Sequence, residues 1–289
     1  MISVVVISRD EPALDATLTL LEREVAALAE PGEVLVVDSS AGRLDGIRRA
    51  HPDVRWIDHP APPGVVTIPH QRNAGVRAAA GDVIAFTDCG CHPEPGWLGR
   101  LTAPVRAGEA AVAAGLTRTR GGPGIYDRRA ALASEAEHLD ECPTINMAFA
   151  RSAFDEAGGF DEGFAYGSDI DFSWRLVDAG HRIRSVPDAV VEADWGDGRR
   201  QLRRGYRYGR ARARLYRRHP RRLRSALRRD PMVFVYPAFI LGLPLALRVR
   251  AYPLLLLVPM WRNRADGPVR VVADHLAYGL GVLREMARR

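Results

Sequence analysis

Two carboxylates stand one or two residues beyond apolar runs of strand length. Asp38 follows Val34-Leu35-Val36-Val37, and Asp88 follows Val83-Ile84-Ala85-Phe86-Thr87. An ionised carboxylate only accepts hydrogen bonds, which suits it to ring N–H donors. In the plainer reading, Asp38 closes a turn with Ser39 and Ser40. Arg72 carries a guanidinium fork that matches a phosphate, with a surface arginine as the alternative. Asp171 and Arg175 are four residues apart and can pair on one helix. Cys89-x-Cys91-His92 crowds three potential zinc ligands into four residues, unlike structural zinc spacing. All 41 Lys+Arg positions are arginine, which excludes a Schiff-base or phosphate-loop lysine.

The elements that must position these groups are legible from residue 1 to about 86. Ile2–Ile7, Glu33–Val37, Val54–Ile57 and Val83–Phe86 read as strands. Asp15–Leu28, Leu44–Ala50 and Gln71–Ala80 read as helices between them. That alternation predicts right-handed βαβ units and a mostly parallel sheet, with ligands bound beyond the carboxyl ends of the strands. From Gly108 the pattern loosens, with a Gly-Gly-Pro-Gly loop at 121–124 and a helix expected over 128–139. A helix running to about Ala179 and a strand near Ile183–Val186 follow. Three cysteines are too few for a disulfide scaffold and suggest a reducing compartment. The short apolar start, with Arg9 behind it, lacks the pattern of a secretory signal, so this part is expected in the cytoplasm.

Charge divides the chain. Residues 1–198 hold 18 Arg against 31 acids, a net of −13, and residues 199–289 hold 23 Arg against 4 acids, a net of +19. Residues 199–229 alone carry 15 Arg. Pro231–Leu247 then gives 17 uncharged residues, ~26 Å if helical and at the lower limit for a bilayer; Ala251–Trp261 is too short to cross back. A closing helix over about 270–288 is expected to place Val272, Leu276, Leu280, Leu283 and Ala287 on one face. The tail therefore reads as an Arg-rich helical segment (199–229) and an apolar, membrane-associated segment with a final amphipathic helix (230–289). A peripheral or re-entrant anchor on an anionic cytoplasmic leaflet is expected. A true span and a soluble helical packing domain are the alternatives. Nucleic acid is disfavoured as a partner, because nothing in 1–198 is basic enough to help the tail.

Three blocks carry a resemblance: Ser3–Arg9 with Val36–Ser40, then Gln71–Trp97, then Asn146–Arg175. In this order the chain resembles family 2 glycosyltransferases of the GT-A fold, the α/β fold of nucleotide-diphospho-sugar transferases. The resemblance implies a catalytic domain over 1–198, with helices flanking the sheet. It places Ser8, Arg9, Glu11 and Asp38 in the nucleotide pocket and Arg72-Asn73 near the pyrophosphate. Asp88 becomes the first acid of the family's Asp-x-Asp motif. Gly90 and Cys91 stand where further acids are expected, so a divalent Mg²⁺ or Mn²⁺ would be held weakly, by Asp88 with Asp194. Glu192–Gly196 occupies the place of a metal-site histidine. Ser168-Asp169 replaces the usual Glu-Asp pair, which makes Asp169 the general base, with Asn146, Asp171 and Arg175 on the acceptor side. The implied activity is inverting transfer of a sugar from a nucleotide diphosphate to a hydroxyl acceptor, lipid-linked or of the cell envelope. A nucleotidyltransferase is the rival enzyme, but Ser8-Arg9-Asp10-Glu11 lacks its Gly-rich phosphate loop.

Overall fold

Ile2–Ser8 (β1) is apolar on both faces and runs through the middle of a sheet, where every residue but Ile7 is buried. The structure is a computed structural model describing residues 1–59, 68–120, 136–194, 198–264 and 267–288. They fall into two compact units, Met1–Asp194 and Trp195–Arg289.

In the first unit, β1 is flanked in parallel by β2 (Gly32–Asp38) and β4 (Val83–Thr87), and β2 pairs in parallel with β3 (Arg55–Asp58). The connecting helices are α1 (Leu14–Ala26), α2 (Asp45–Ala50) and α3 (Ile68–Ala78). Beyond β4 the described chain adds β5 (Cys91–Pro93), α4 (Trp97–Arg106), β6 (Val112–Thr119), β7 (His138–Leu139) and β8 (Asn146–Ala150). Then come α5 (Arg151–Glu156), α6 (Ser168–Asp178) and β9 (Ile183–Ala193). The strand order is β3-β2-β1-β4-β8-β6-β9-β5, with β7 on β9. Pairs β4–β8, β6–β8, β5–β9 and β7–β9 are antiparallel, and β6–β9 is parallel. The expected parallel sheet thus holds for β1–β4, and the far half is mixed. The loop at 121–124 and most of the helix expected at 128–139 lie outside the described residues; His138–Leu139 is strand.

Five phenylalanines tie the second half to the first. Phe86 of β4, Phe149 of β8, Phe154 of α5, Phe160 and Phe172 of α6 form one cluster, with the Phe160 and Phe172 centroids 4.5 Å apart. Offset and edge-to-face packing adds to the burial of these large rings. The cluster fixes α6 against the sheet.

In the second unit, α7 (Gly198–Arg218) packs along α11 (Pro268–Met286). A Cβ at Gly209 would run into the Tyr278 carbonyl, and one at Gly281 into that of Tyr206, so only glycine lets these backbones approach so closely. Glu285 of α11 is buried and ion-paired to Arg210 and Arg217 of α7, both at 3.2 Å, and Asp230 pairs with Arg212 at 3.1 Å. The unit also contains α8 (Leu223–Arg229), α9 (Met232–Leu241) and α10 (Leu257–Arg262). Of the apolar face expected for α11, only Val272 is buried. Val271, Val272, His275, Gly279, Val282 and Glu285 are buried, while Leu280 and Ala287 are exposed. The helix turns its polar His275 and Glu285 inward because Tyr236 and arginines wait there. No helix among the described residues is long and apolar enough to cross a membrane.

Candidate active site

The strand order turns back at β1, whose neighbours β2 and β4 lead away in opposite directions, and such a switch point opens a crevice at the carboxyl ends. Ser8 and Asp38 are partners in register there, and Asp88 follows β4 beside them. The Asp38 carboxylate is buried and accepts hydrogen bonds from the Ser40 N–H (3.1 Å) and hydroxyl (2.5 Å). Ser40 in turn accepts the Asp10 N–H at 2.7 Å. Asp10 and Ala41 both hold positive φ (55° and 52°), a left-handed conformation that Asp tolerates better than Ala. An Arg43–Asp10 ion pair at 2.5 Å joins the two loops, and this hydrogen bond holds the Asp10 carboxyl below its usual range. Gln71 completes the frame by donating to the carbonyls of Ser8 (3.0 Å) and Val37 (3.1 Å). Arg9 is exposed and Glu11 half-buried, with the Glu11 carbonyl accepting the Leu14 N–H where α1 begins.

Arg72 and Asn73 point to different tasks. Asn73 is buried and clamps the loop before α6: it donates to the Phe160 carbonyl and to Glu162 Oε1, both at 2.9 Å, and accepts the Phe160 N–H at 2.9 Å. Its amide is thus taken up by the frame rather than left for the pyrophosphate that the resemblance implies. Arg72 is buried too, 5.7 Å over the Phe160 ring, with Nη1 donating to Ser168 Oγ at 3.3 Å and Nε unpartnered. A buried guanidinium donor left unpaired carries a desolvation penalty, which an anionic ligand would relieve. Asp169 is the next residue. It lies half-buried in the first turn of α6, after Gly167, whose φ of 82° a side chain would resist, and its Oδ1 accepts the Ile170 N–H at 2.9 Å.

The other expected acceptor-side residues serve the frame. Asp171 is buried and paired to Arg175 Nε at 2.8 Å, the helical pairing allowed by their spacing. Arg175 also donates to the carbonyls of Ala157 and Gly159. Asn146 is buried within the sheet, where Nδ2 donates to the carbonyls of Leu116 and Ala189 (both 2.9 Å) and Oδ1 accepts the Trp97 indole N–H at 2.8 Å. Those carbonyls flank a register break between Gly115 and Leu116 in the β6–β9 ladder, so the amide plugs a bulge. It is not available to an acceptor sugar. His181, just beyond α6, lies 2.9 Å from Glu156.

At the end of β4, the donor set suits a hard cation only in part. Burial pushes the Cys89 and Cys91 thiols up to about 12, which keeps them protonated and poor metal ligands. Cys89 instead donates to the Ile7 carbonyl at 3.1 Å. His92 Nε2 lies 2.8 Å from Arg120 Nη1, and burial, with Arg120, lowers its pKa. That leaves oxygens: Asp88, and the exposed Asp194, which follows Ala193, the residue paired with Cys91. Trp195 and Gly196 lie outside the described residues, and among the described residues no group of three His, Cys, Asp or Glu could hold a metal. One or two carboxylates do suffice for a Mg²⁺ that arrives on a diphosphate.

Sequence reasoning missed Gln71 and the Asp10–Arg43 clasp, whereas the bonding of Ser40 to Asp38 is the plainer of its two readings of that carboxylate. Only the adjacency of Gln71 to Arg72-Asn73 could have marked it.

A mixed sheet with carboxylates at its switch point is the architecture expected of a GT-A glycosyltransferase, and the likeness to known proteins establishes that class. Residues 3–160 match the family model "Glycosyl transferase family 2", and the chain belongs to that family. Over 219 residues it is 32% identical to the pre-mycofactocin glycosyltransferase of two Mycobacterium tuberculosis strains, covering 69% of this chain and 45% of that protein. The chain thus spans about half the length of these relatives. Among solved structures, the mannosyltransferase PcManGT from Pyrobaculum calidifontis, in complex with GDP-Man and Mn2+, superposes with a TM-score of 0.75 at 19% identity. That match covers 100% of this chain and 87% of the other. S. aureus TarS gives 0.52 at 16% identity, over 75% and 43%.

Proposed function

We propose that this glycosyltransferase performs a single, inverting displacement: a hydroxyl acceptor attacks the anomeric carbon of a nucleoside-diphosphate sugar at an anionic membrane face. The observation that carries the reading is the buried Arg72, bonded to Ser168 beside Asp169 and left with an unpartnered Nε. A guanidinium so placed would neutralise the diphosphate as it leaves. Asp38, with Ser8 and the neighbouring Arg9 and Glu11, would receive the nucleoside; Asp88 would face the ribose. The acceptor oxygen forms a bond to the anomeric carbon as the carbon–phosphate-oxygen bond breaks, and the acceptor proton passes to Asp169. The diphosphate departs needing charge stabilisation rather than a proton. GDP-Man in the Pyrobaculum protein supports a nucleotide-sugar donor. The product's anomeric configuration, followed by NMR, is expected to be opposite to the donor's; retention would contradict a single displacement.

Asp88 with Asp194 would hold a Mg²⁺ or Mn²⁺, the ion of the Pyrobaculum complex, which would supply charge neutralisation at the diphosphate. With Gly90 at the place of an acid, activity is expected to fall only in part under a chelator. Asp194→Ala should raise the metal concentration needed for half-maximal rate. Complete loss at low chelator, or an unaltered metal requirement in the variant, would reject this ligand pair.

The membrane address, with a lipid-linked or envelope acceptor on the cytoplasmic side, is supported by the net +19 of residues 199–289. A second acceptor reading comes from the 32% identical relative, whose name makes pre-mycofactocin the molecule glycosylated. Transfer to extracted lipid against transfer to pre-mycofactocin separates the two.

A further inference from the structure

Regular structure without a buried face needs a partner. The 3₁₀ turns Leu243–Leu247 and Tyr252–Leu256 and the helix α10 contain no buried residue. Ten large apolar side chains between Leu241 and Trp261 are exposed, among them Leu247 at 89% and Trp261 at 69%. A soluble protein rarely leaves so much contiguous apolar surface to water.

The segment is nonetheless held in shape. The Tyr252 hydroxyl donates to the Phe239 carbonyl at 2.9 Å, and the two rings stack with centroids 5.2 Å apart. A Cβ at Gly242 would collide with the Tyr252 ring, so the hairpin closes tightly there. Its base is anchored through α9, whose Val233, Tyr236 and Pro237 are buried; the Tyr236 hydroxyl lies 2.7 Å from His275 Nδ1.

We propose that this hairpin, residues 241–261, inserts into one leaflet of an anionic phospholipid membrane and stops there. The inference deepens the membrane address stated above and rests on it. Charge selects the occupant. No acid lies between Asp230 and Asp266, while Arg248, Arg250, Arg262 and Arg264 punctuate or border the apolar run. A second copy docked on this face would set arginine against arginine, whereas anionic headgroups complement the same arginines, whose stems can snorkel. Length selects the depth. The five-residue 3₁₀ turn of the first arm spans roughly 10 Å, and the second turn running on into α10 about 19 Å, against ~30 Å of hydrocarbon. Arg248 and Arg250 stand at the turn between the two arms and must stay at headgroup level, so the arms sink side-on into one leaflet and neither crosses. Trp261, with the Arg264 guanidinium 5.2 Å over its ring, suits the headgroup boundary where amphipathic rings collect.

The test uses the full chain and vesicles of phosphatidylcholine with phosphatidylglycerol. The chain is expected to float with the vesicles and to remain bound in high salt, since screening acts on charges and not on apolar burial. Lipids brominated high on the acyl chain should quench the vesicle-induced tryptophan signal more than deeply brominated ones, and Trp261→Phe should remove that difference. Leu247→Asp with Leu255→Asp, both at exposed positions, should make binding salt-labile. Flotation without quenching of Trp261, and unchanged by the Asp pair, would overturn the insertion while leaving an arginine-driven membrane address. Failure to float at all, or release by salt with tight RNA binding, would overturn both.

Discussion

Asp169→Asn is expected to lower glycosyl transfer by about 100-fold or more while donor binding stays within a small factor of the native value, the scale set by loss of a general base. The substitution is clean on physical grounds. Asn keeps the shape and an acceptor oxygen for the Ile170 N–H, and α6 is pinned elsewhere, by Phe172 in the aromatic cluster and by Ser173 Oγ on the Asp169 carbonyl at 2.9 Å. Only the ability to take a proton goes. Turnover rates and donor titration on the same preparation check this, and a variant that turns over normally would remove Asp169 from the reaction.

Asn146→Ala is expected to act on folding instead. The truncation strands the Trp97 N–H and the carbonyls of Leu116 and Ala189 inside the sheet. At about 1–3 kcal/mol for each of the two fully buried groups, with less for the part-buried Leu116 carbonyl, the loss is on the order of 2–6 kcal/mol. That is a large share of a typical ~5–15 kcal/mol total. Thermal unfolding should shift down by on the order of 10 °C or more, with normal turnover per folded molecule. An unshifted transition with impaired transfer would return Asn146 to the acceptor side.

These two residues also mark how far the sequence could be read. The β1–β4 half was legible because its strands are short apolar runs between helical periodicities, and Asp38 and Asp88 stand at ends that such runs define. The far half was not. Val112–Thr119 reads Val-Ala-Ala-Gly-Leu-Thr-Arg-Thr, with no clean alternation, and its pairing depends on a bulge plugged by an amide some 30 residues away. Asn73 and Arg175 lie in site-like motifs, yet their side chains hold the Ala157–Phe160 turn, contacts that no local pattern announces. The buried face of α11 was only partly legible, for a related reason. Apolar periodicity finds apolar interfaces, and this one is built from glycine crossings and a glutamate gripped by arginines.

The strand-end carboxylates Asp38 and Asp88 and the buried Arg72 are proposed to receive a nucleoside-diphosphate sugar. The most direct measurement incubates the purified chain with a panel of nucleotide sugars, with Mg²⁺ or Mn²⁺ present, and scores release of free nucleoside diphosphate. Slow hydrolysis of one donor, well above the rest, is predicted, and it should be lost in Arg72→Ala. Indifference to every nucleotide sugar, with no binding by calorimetry, would show that these residues do not form a nucleotide-sugar site.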